Sequence, residues 1–150
     1  MHLLFWNCQG IENPDTLNVL KRLISIHHPK IRAISEPKTH FTPIFLHICN
    51  LGFSFLGAGN NCNAVETLWI FFHTSIQNMK KFSIIDQYLI CEYYYDNKNI
   101  FKILVYDKNN FQDRRTLWNE LSHLNSIIQY HWILVGDFNV ILAPTEKLGP

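Results

Sequence analysis

Apolar residues fall along the chain in short blocks, and four of these blocks end on polar residues. Leu3-Leu4-Phe5-Trp6 runs into Asn7-Cys8-Gln9-Gly10, and Ile31 to Ile34 runs into Ser35-Glu36-Pro37-Lys38-Thr39. Ile103-Leu104-Val105 delivers Tyr106, and Trp132-Ile133-Leu134-Val135 delivers Gly136-Asp137-Phe138-Asn139. Unbroken apolar runs of this length read as strands buried on both faces, and the last reads as a central strand of an α/β protein. Gly136 is expected to free the backbone where that strand ends. Asp137 and Asn139 then share one side of the extended chain that follows, because side chains alternate with period two. A strand followed by an Asx turn is the plain structural alternative.

Between the first two blocks, Asn13-Pro14 makes a good helix start, Asn as cap and Pro at the first helical position. Leu17, Leu20, Leu23 and Ile24 give the helix an apolar stripe, and His28-Pro29 ends it. Strand, helix, strand in that order predicts a βαβ unit with parallel pairing. Thr42 to Cys49 is expected as a short helix, Phe53 to Leu56 as a strand and Gly57 to Asn63 as a polar loop. Leu68 to His73, Phe82 to Ile85, Tyr88 to Tyr95 and Ile100 to Tyr106 are strand-like runs rich in Ile, Phe and Tyr. Asp96-Asn97-Lys98-Asn99 predicts an antiparallel hairpin, so the sheet is mixed. Asp107 to Asn110 reads as a polar loop. Phe111 to Gln129 is the strongest helix, with Leu117, Leu121, Leu124 and Ile128 at helical spacing and Asp113 suited to its first turn. Ala143 to Pro150 reads as loop.

Composition narrows the class. At 150 residues, 47% hydrophobic and 14% aromatic, the chain has material for one core and is too apolar to be disordered. A formal net charge of +1 gives no global electrostatic footprint for nucleic acid, though a local basic face remains open. Cys8, Cys49, Cys62 and Cys91 form no CxxC pair, which argues against a zinc site and for free thiols in a reducing compartment. No signal peptide and no bilayer-length apolar run is visible, so an intracellular chain without membrane insertion is expected. Tyr93-Tyr94-Tyr95 reads as sheet surface rather than a base-stacking platform, and Lys38, Lys80-Lys81 and Arg114-Arg115 as solvated charge.

The repeated polar strand ends are the chemical signal. If the four strands are neighbours, Asn7, Glu36, Tyr106 and Asp137 with Asn139 converge on one rim. Two carboxylates about 4 Å apart repel by roughly 4 kcal/mol at an effective dielectric near 20. A cation or a shared proton compensates that repulsion. Oxygen ligands of this kind suit Mg²⁺, which uses one or two carboxylates and a substrate phosphate.

Trp6-Asn7-Cys8-Gln9-Gly10, Ser35-Glu36-Pro37-Lys38-Thr39 and Gly136-Asp137-Phe138-Asn139 resemble, in order and spacing, the endonuclease/exonuclease/phosphatase superfamily. Asn13-Pro14, Arg114-Arg115 with Leu117-Trp118, and Glu146-Lys147 look like the endonuclease domain of plant LINE-type non-LTR retrotransposons. The resemblance implies a two-sheet α/β sandwich of the DNase I-like type, with mixed sheets flanked by helices, spanning residues 1–150 as a partial domain. It implies Mg²⁺-dependent phosphodiester cleavage, with Mn²⁺ as an acceptable substitute, DNA as partner and a nuclear place of action. Carried over by position, Glu36 would bind the metal and Asn7 would support it. Asp137 would orient and deprotonate the attacking water, Asn139 would hydrogen-bond the phosphate or hold that water, and Tyr106 would contact the phosphate. A phosphatase or lipid phosphodiesterase is the enzyme alternative within the superfamily.

The chain also departs from that pattern. The superfamily ends on a further strand carrying an Asp and a His, and it has another Asp before that pair; this sequence stops short of both. Loss of one preorganised donor lowers catalysis by about 2.7–4 kcal/mol. The expectation is therefore a sandwich incomplete at its C-terminus, monomeric, with an interior strand left as an aggregation-prone edge. Weak or absent activity is expected, with a non-catalytic fold relic that binds metal or nucleic acid weakly as the alternative. Asp107 stands where the family usually has glycine, and is expected to add negative charge beside the phosphate site.

Overall fold

The structure, a computed structural model, describes residues 2–42, 52–59, 65–76, 78–85, 87–107 and 111–139. Strands β1 (Leu3–Asn7), β2 (Ile31–Ser35), β3 (Phe53–Gly59) and β4 (Leu68–His73) form one four-stranded sheet in the order β1-β2-β4-β3. Strands β5 (Lys80–Ile85), β6 (Tyr88–Tyr95), β7 (Lys98–Tyr106) and β8 (Trp132–Asp137) form a second in the order β5-β6-β7-β8. Helix α1 (Pro14–His27) joins β1 to β2, and α2 (Phe111–Ile127) joins β7 to β8. Each helix links a parallel pair and every other pairing is antiparallel, so both sheets are mixed.

Side-chain alternation sorts the core into layers. In β2, Ile34 turns outward to Leu20, Leu17 and Ile24 of α1, while Ile31 and Ala33 turn inward to the second sheet. In β7, Leu104 faces the first sheet while Ile103 and Val105 meet Leu117 and Leu121 of α2. The architecture is helix, sheet, sheet, helix. Arg32, only 2% exposed in β2, lies over the Phe53 ring at 3.2 Å, a cation–π contact that accompanies its burial. Asn13 caps α1 by accepting the Asp15 amide at 2.9 Å, and His28 closes it in the left-handed region.

Several expectations change. The strand at Phe53 continues through Gly57 to Gly59 across a bulge, where a loop was expected. Tyr93 is buried between the sheets, and only Tyr94 and Tyr95 lie on the surface. Strand β8 is not central: among the described residues it pairs with β7 alone, and Ile133 is 47% exposed. Its apolar run reflects one covered face and an edge position. Gly136 has no positive φ. It is required for close approach, because a Cβ there would strike the Val105 carbonyl across the β7–β8 ladder. The helix expected at 42–49 and the final loop fall outside the described residues, Thr42 excepted. Cys8 and Cys91 are buried free thiols, and Cys49 and Cys62 lie outside the described residues.

Parallel pairing of β1 with β2 and of β7 with β8 sends four carboxyl ends to one pole. β1 touches β8 across the two sheets, which brings those ends together.

Candidate active site

Asn7, the last residue of β1, stands where the sheets meet. Its Oδ1 accepts the Gln9 amide at 3.2 Å, which turns Nδ2 toward the pole. Nδ2 donates to Glu36 Oε1 at 3.1 Å and to Asp137 Oδ2 at 2.8 Å. One amide nitrogen thus spans a carboxylate from each sheet, and their oxygens lie no further apart than the sum of those two distances. Tyr106 Oη donates to the same Glu36 Oε1 at 3.3 Å. Lys38 Nζ lies 3.9 Å from Glu36 Oε2, a largely exposed contact.

Glu36 is held by its backbone. Its φ of +50° is in the left-handed region, a strained conformation for a residue with a Cβ. The Glu36 amide donates to the Thr67 carbonyl at 3.0 Å, and its carbonyl accepts the Gly10 amide at 2.9 Å. The Cys8 thiol also donates to that carbonyl, at 3.4 Å. Burial pushes the Cys8 thiol up, the Glu36 charge adds to that, and backbone hydrogen bonds and Lys38 act against it. The thiol is thus held protonated near neutral pH.

The Tyr106 phenol is pushed up to about 12, first by burial, then by the Glu36 charge and hydrogen bond, and last by Asp137. It is a neutral donor throughout the physiological range.

Asp137 closes β8, but the chain does not stay extended as far as Asn139. Asn139 has φ +45°, and its amide donates to Asp137 Oδ1 at 3.0 Å. The plain Asx turn and the convergence of Asp137 on Asn7 coexist: one carboxylate oxygen closes the turn while the other faces Asn7. The Asn139 side chain turns away from Glu36 and donates to the Asp107 carbonyl. Asn7, Glu36, Tyr106 and Asp137 are therefore brought together directly, and Asn139 stands behind Asp137.

The turn is gripped from α2. Arg114 Nε donates to Asp107 Oδ2 at 3.0 Å, and its Nη2 donates to the Asn139 carbonyl at 3.1 Å. Trp118, one helical turn on, stacks against Phe138 at 5.7 Å between ring centroids. Arg114 and Trp118 stand four residues apart, so they share a helix face, while Leu117 and Leu121 face the core. Asp107 is fully buried and ion-paired, so it does not project charge into the phosphate site as the sequence suggested. Arg114 is likewise an anchor rather than solvated charge. The available sequence signal was an acidic residue closing an apolar strand, seven positions before a helix-face Arg.

The donor set can be tested against a hard divalent cation. It offers the carboxylate oxygens of Glu36 and Asp137, with the Asn7 Nδ2 rather than its oxygen turned to them, and Mg²⁺ accepts one or two carboxylates with water completing its shell. Among the described residues no three His, Cys, Asp or Glu side chains converge on one point. The site fits a cation held mainly through water and substrate.

A sandwich of two mixed sheets flanked by helices is the DNase I-like fold, and comparison with solved structures shows this fold. TDP2 from D. rerio, complexed with a single-strand DNA product, aligns with TM-score 0.65 and 14% identity over 93% of this chain and 60% of its own. The 3′ phosphatase NExo from Neisseria, bound to a product DNA hairpin, aligns with TM-score 0.65 and 15% identity over 95% and 59%. An AP endonuclease from Archaeoglobus fulgidus gives TM-score 0.67 and 15% identity over 99% and 62%. The chain spans about 60% of the length of these structures. No protein-family model matches the sequence, and no curated protein matches it.

Two outcomes follow from this geometry. Arg114→Ala should destabilise the fold by about 3–5 kcal/mol in urea denaturation, because it strands the buried Asp107 charge. Arg114→Ala combined with Asp107→Asn should recover much of that loss. Separately, Tyr106 should ionise near pH 12 by ¹³C NMR of the ring rather than near its ordinary 10. A raised folded pKa stabilises fully below the unfolded value, so this contribution should hold below about pH 10 and fade as pH climbs toward 12.

Proposed function

We propose that this pole is a Mg²⁺-dependent phosphodiester hydrolysis site acting on DNA. The observation that carries the proposal is the Asn7 amide holding Glu36 and Asp137 together, with the Tyr106 phenol on the same Glu36 oxygen. The neighbouring structures seen with DNA supply the substrate class.

Glu36, backed by Asn7, would hold the cation, whose charge offsets that developing on the phosphoryl oxygens. Asp137, fixed by Asn7 on one oxygen and by the Asn139 amide on the other, would accept the proton of the attacking water. Tyr106, a neutral phenol at physiological pH, would donate to a phosphate oxygen once substrate displaces its bond to Glu36. The Asn139 side chain would act on phosphate or water only after leaving the Asp107 carbonyl. In the present arrangement it is a positioning residue for Asp137. A retrotransposon endonuclease origin and a nuclear place of action belong to the same proposal and rest on the sequence motifs alone.

A second reading, a non-catalytic relic that binds metal or DNA weakly, is favoured by the Asn139 amide's engagement with Asp107 and by the small number of carboxylates at the pole. A supercoiled-plasmid assay separates the two. Nicking with Mg²⁺ that EDTA abolishes and Asp137→Ala reduces by a factor of about 10² or more supports the hydrolase. Absence of nicking selects the relic, and nicking unchanged in Asp137→Ala excludes this pole as the hydrolytic site.

A further inference from the structure

The opposite pole carries a second polar cluster. Lys30 sits just before β2, six residues from Glu36, which places it roughly 20 Å from the carboxylate pole at about 3.3 Å per strand residue. Lys30 Nζ donates to Ser75 Oγ at 3.2 Å and lies 3.5 Å from His73 Nδ1. His73 Nδ1 accepts the Ser75 amide at 3.1 Å and lies 2.7 Å from the Ser75 hydroxyl. Burial, then the charges of Lys30 and Arg32, holds the His73 imidazole below its usual range. It is therefore a neutral acceptor near neutral pH, and its ring is set edge-on against Phe53 at 5.0 Å. Among the described residues no carboxylate lies within ion-pair distance of Lys30; its side-chain partners are uncharged.

These groups open onto a groove of about 430 Å³ between the ends of the two sheets. Lys30, Ser75 and Ile76 form the wall from the first sheet, and Tyr94, Tyr95, Asp96 and Asn97 the wall from the second. Tyr94 and Tyr95 are 52% and 49% exposed. Asp96 and Asn97 both have positive φ, a tight two-residue turn that fixes the end of this wall. One wall offers an ammonium and a hydroxyl to an anion; on the other, Tyr95 continues the Leu89, Cys91 and Tyr93 side of β6 that faces the first sheet, with Asn97 beside it. A volume of this size is at the small-molecule end of ligand sites.

We propose that this groove binds a nucleotide, with its phosphate on Lys30 and Ser75 and its base against Tyr95. Asp96 shares the lining, and its negative charge disfavours phosphate at the turn, which sets the direction of binding: phosphate at the Lys30 end, base toward the turn. Base stacking on tyrosine and a lysine–phosphate contact are both general recognition chemistry. This site is independent of the hydrolytic reading, because none of its residues belongs to the carboxylate pole.

The test is an amide chemical-shift titration of the full ¹⁵N-labelled chain with 5′-AMP in EDTA, which keeps divalent metal out of the other pole. Signals of Lys30, Ser75, Tyr94, Tyr95 and Asn97 should move together. Inorganic phosphate should move only the Lys30 and Ser75 signals, and adenosine only those of the tyrosine wall. Lys30→Ala should weaken 5′-AMP about tenfold and leave adenosine unchanged. Tyr95→Ala should weaken both, and Asp137→Ala neither. A 5′-phosphorylated tetranucleotide binding more tightly than 5′-AMP identifies a strand as the natural source, and weaker binding identifies a free nucleotide. No shifts at this pole, shifts confined to Asn7, Glu36 and Asp137, or equal 5′-AMP binding in Lys30→Ala would overturn the proposal.

Discussion

The hydrogen bonds of the Asn7 amide link the two halves of the molecule chemically. β1 and β8 belong to different sheets and touch at one end. At that contact a single Nδ2 donates to a carboxylate on each side. Two carboxylates so close would repel in a bare pocket, and two amide protons partly answer that repulsion. The backbone then does the rest: Glu36 is fixed in a left-handed conformation by the Thr67 carbonyl and the Gly10 amide, and Asp137 by the Asn139 amide. Neither carboxylate depends on a flexible side chain alone for its position, which is what a preorganised site requires.

The second level of support comes from α2. Its inner face supplies Leu117 and Leu121 to the core, and its rim supplies Arg114 and Trp118 to the turn after β8. A helix–sheet packing interaction is thereby converted into control of Asp137. Asp107 is the element that makes this work. Its burial is compensated by Arg114, and its carbonyl receives the Asn139 side chain, so one buried ion pair and one turn share their partners. Gly136 belongs to the same mechanism, since only a residue without Cβ lets β8 lie against the Val105 carbonyl.

Much of this was legible in the chain itself. Helices α1 and α2 follow from their apolar spacing and the Asn13 cap, and the parallel pairings follow from strand, helix, strand order. The convergence of Asn7, Glu36, Tyr106 and Asp137 was visible as repetition, because each closes an apolar run. What was not legible depended on tertiary context. An apolar run does not say whether both its faces are covered, so β8 reads as central although among the described residues it lies at an edge. Period-two reasoning put Asn139 beside Asp137, but a local Asx turn overrode the extended chain. Asp107 reads as charge beside the phosphate site and Arg114 as solvated charge, because the sequence cannot show that these two residues, seven positions apart, pair with each other.

Asn7 joins carboxylates from two sheets, and the proposal rests on their acting as one cation-binding unit. Paramagnetic broadening of backbone amide signals by trace Mn²⁺ tests it most directly. The account predicts that Asn7, Glu36, Tyr106 and Asp137 lose intensity together, at Mn²⁺ concentrations that leave Lys30 and Tyr95 untouched. It predicts that Asn7→Ala uncouples the Glu36 and Asp137 responses. Broadening of one carboxylate without the other in the unaltered chain, or none at this pole, would contradict it.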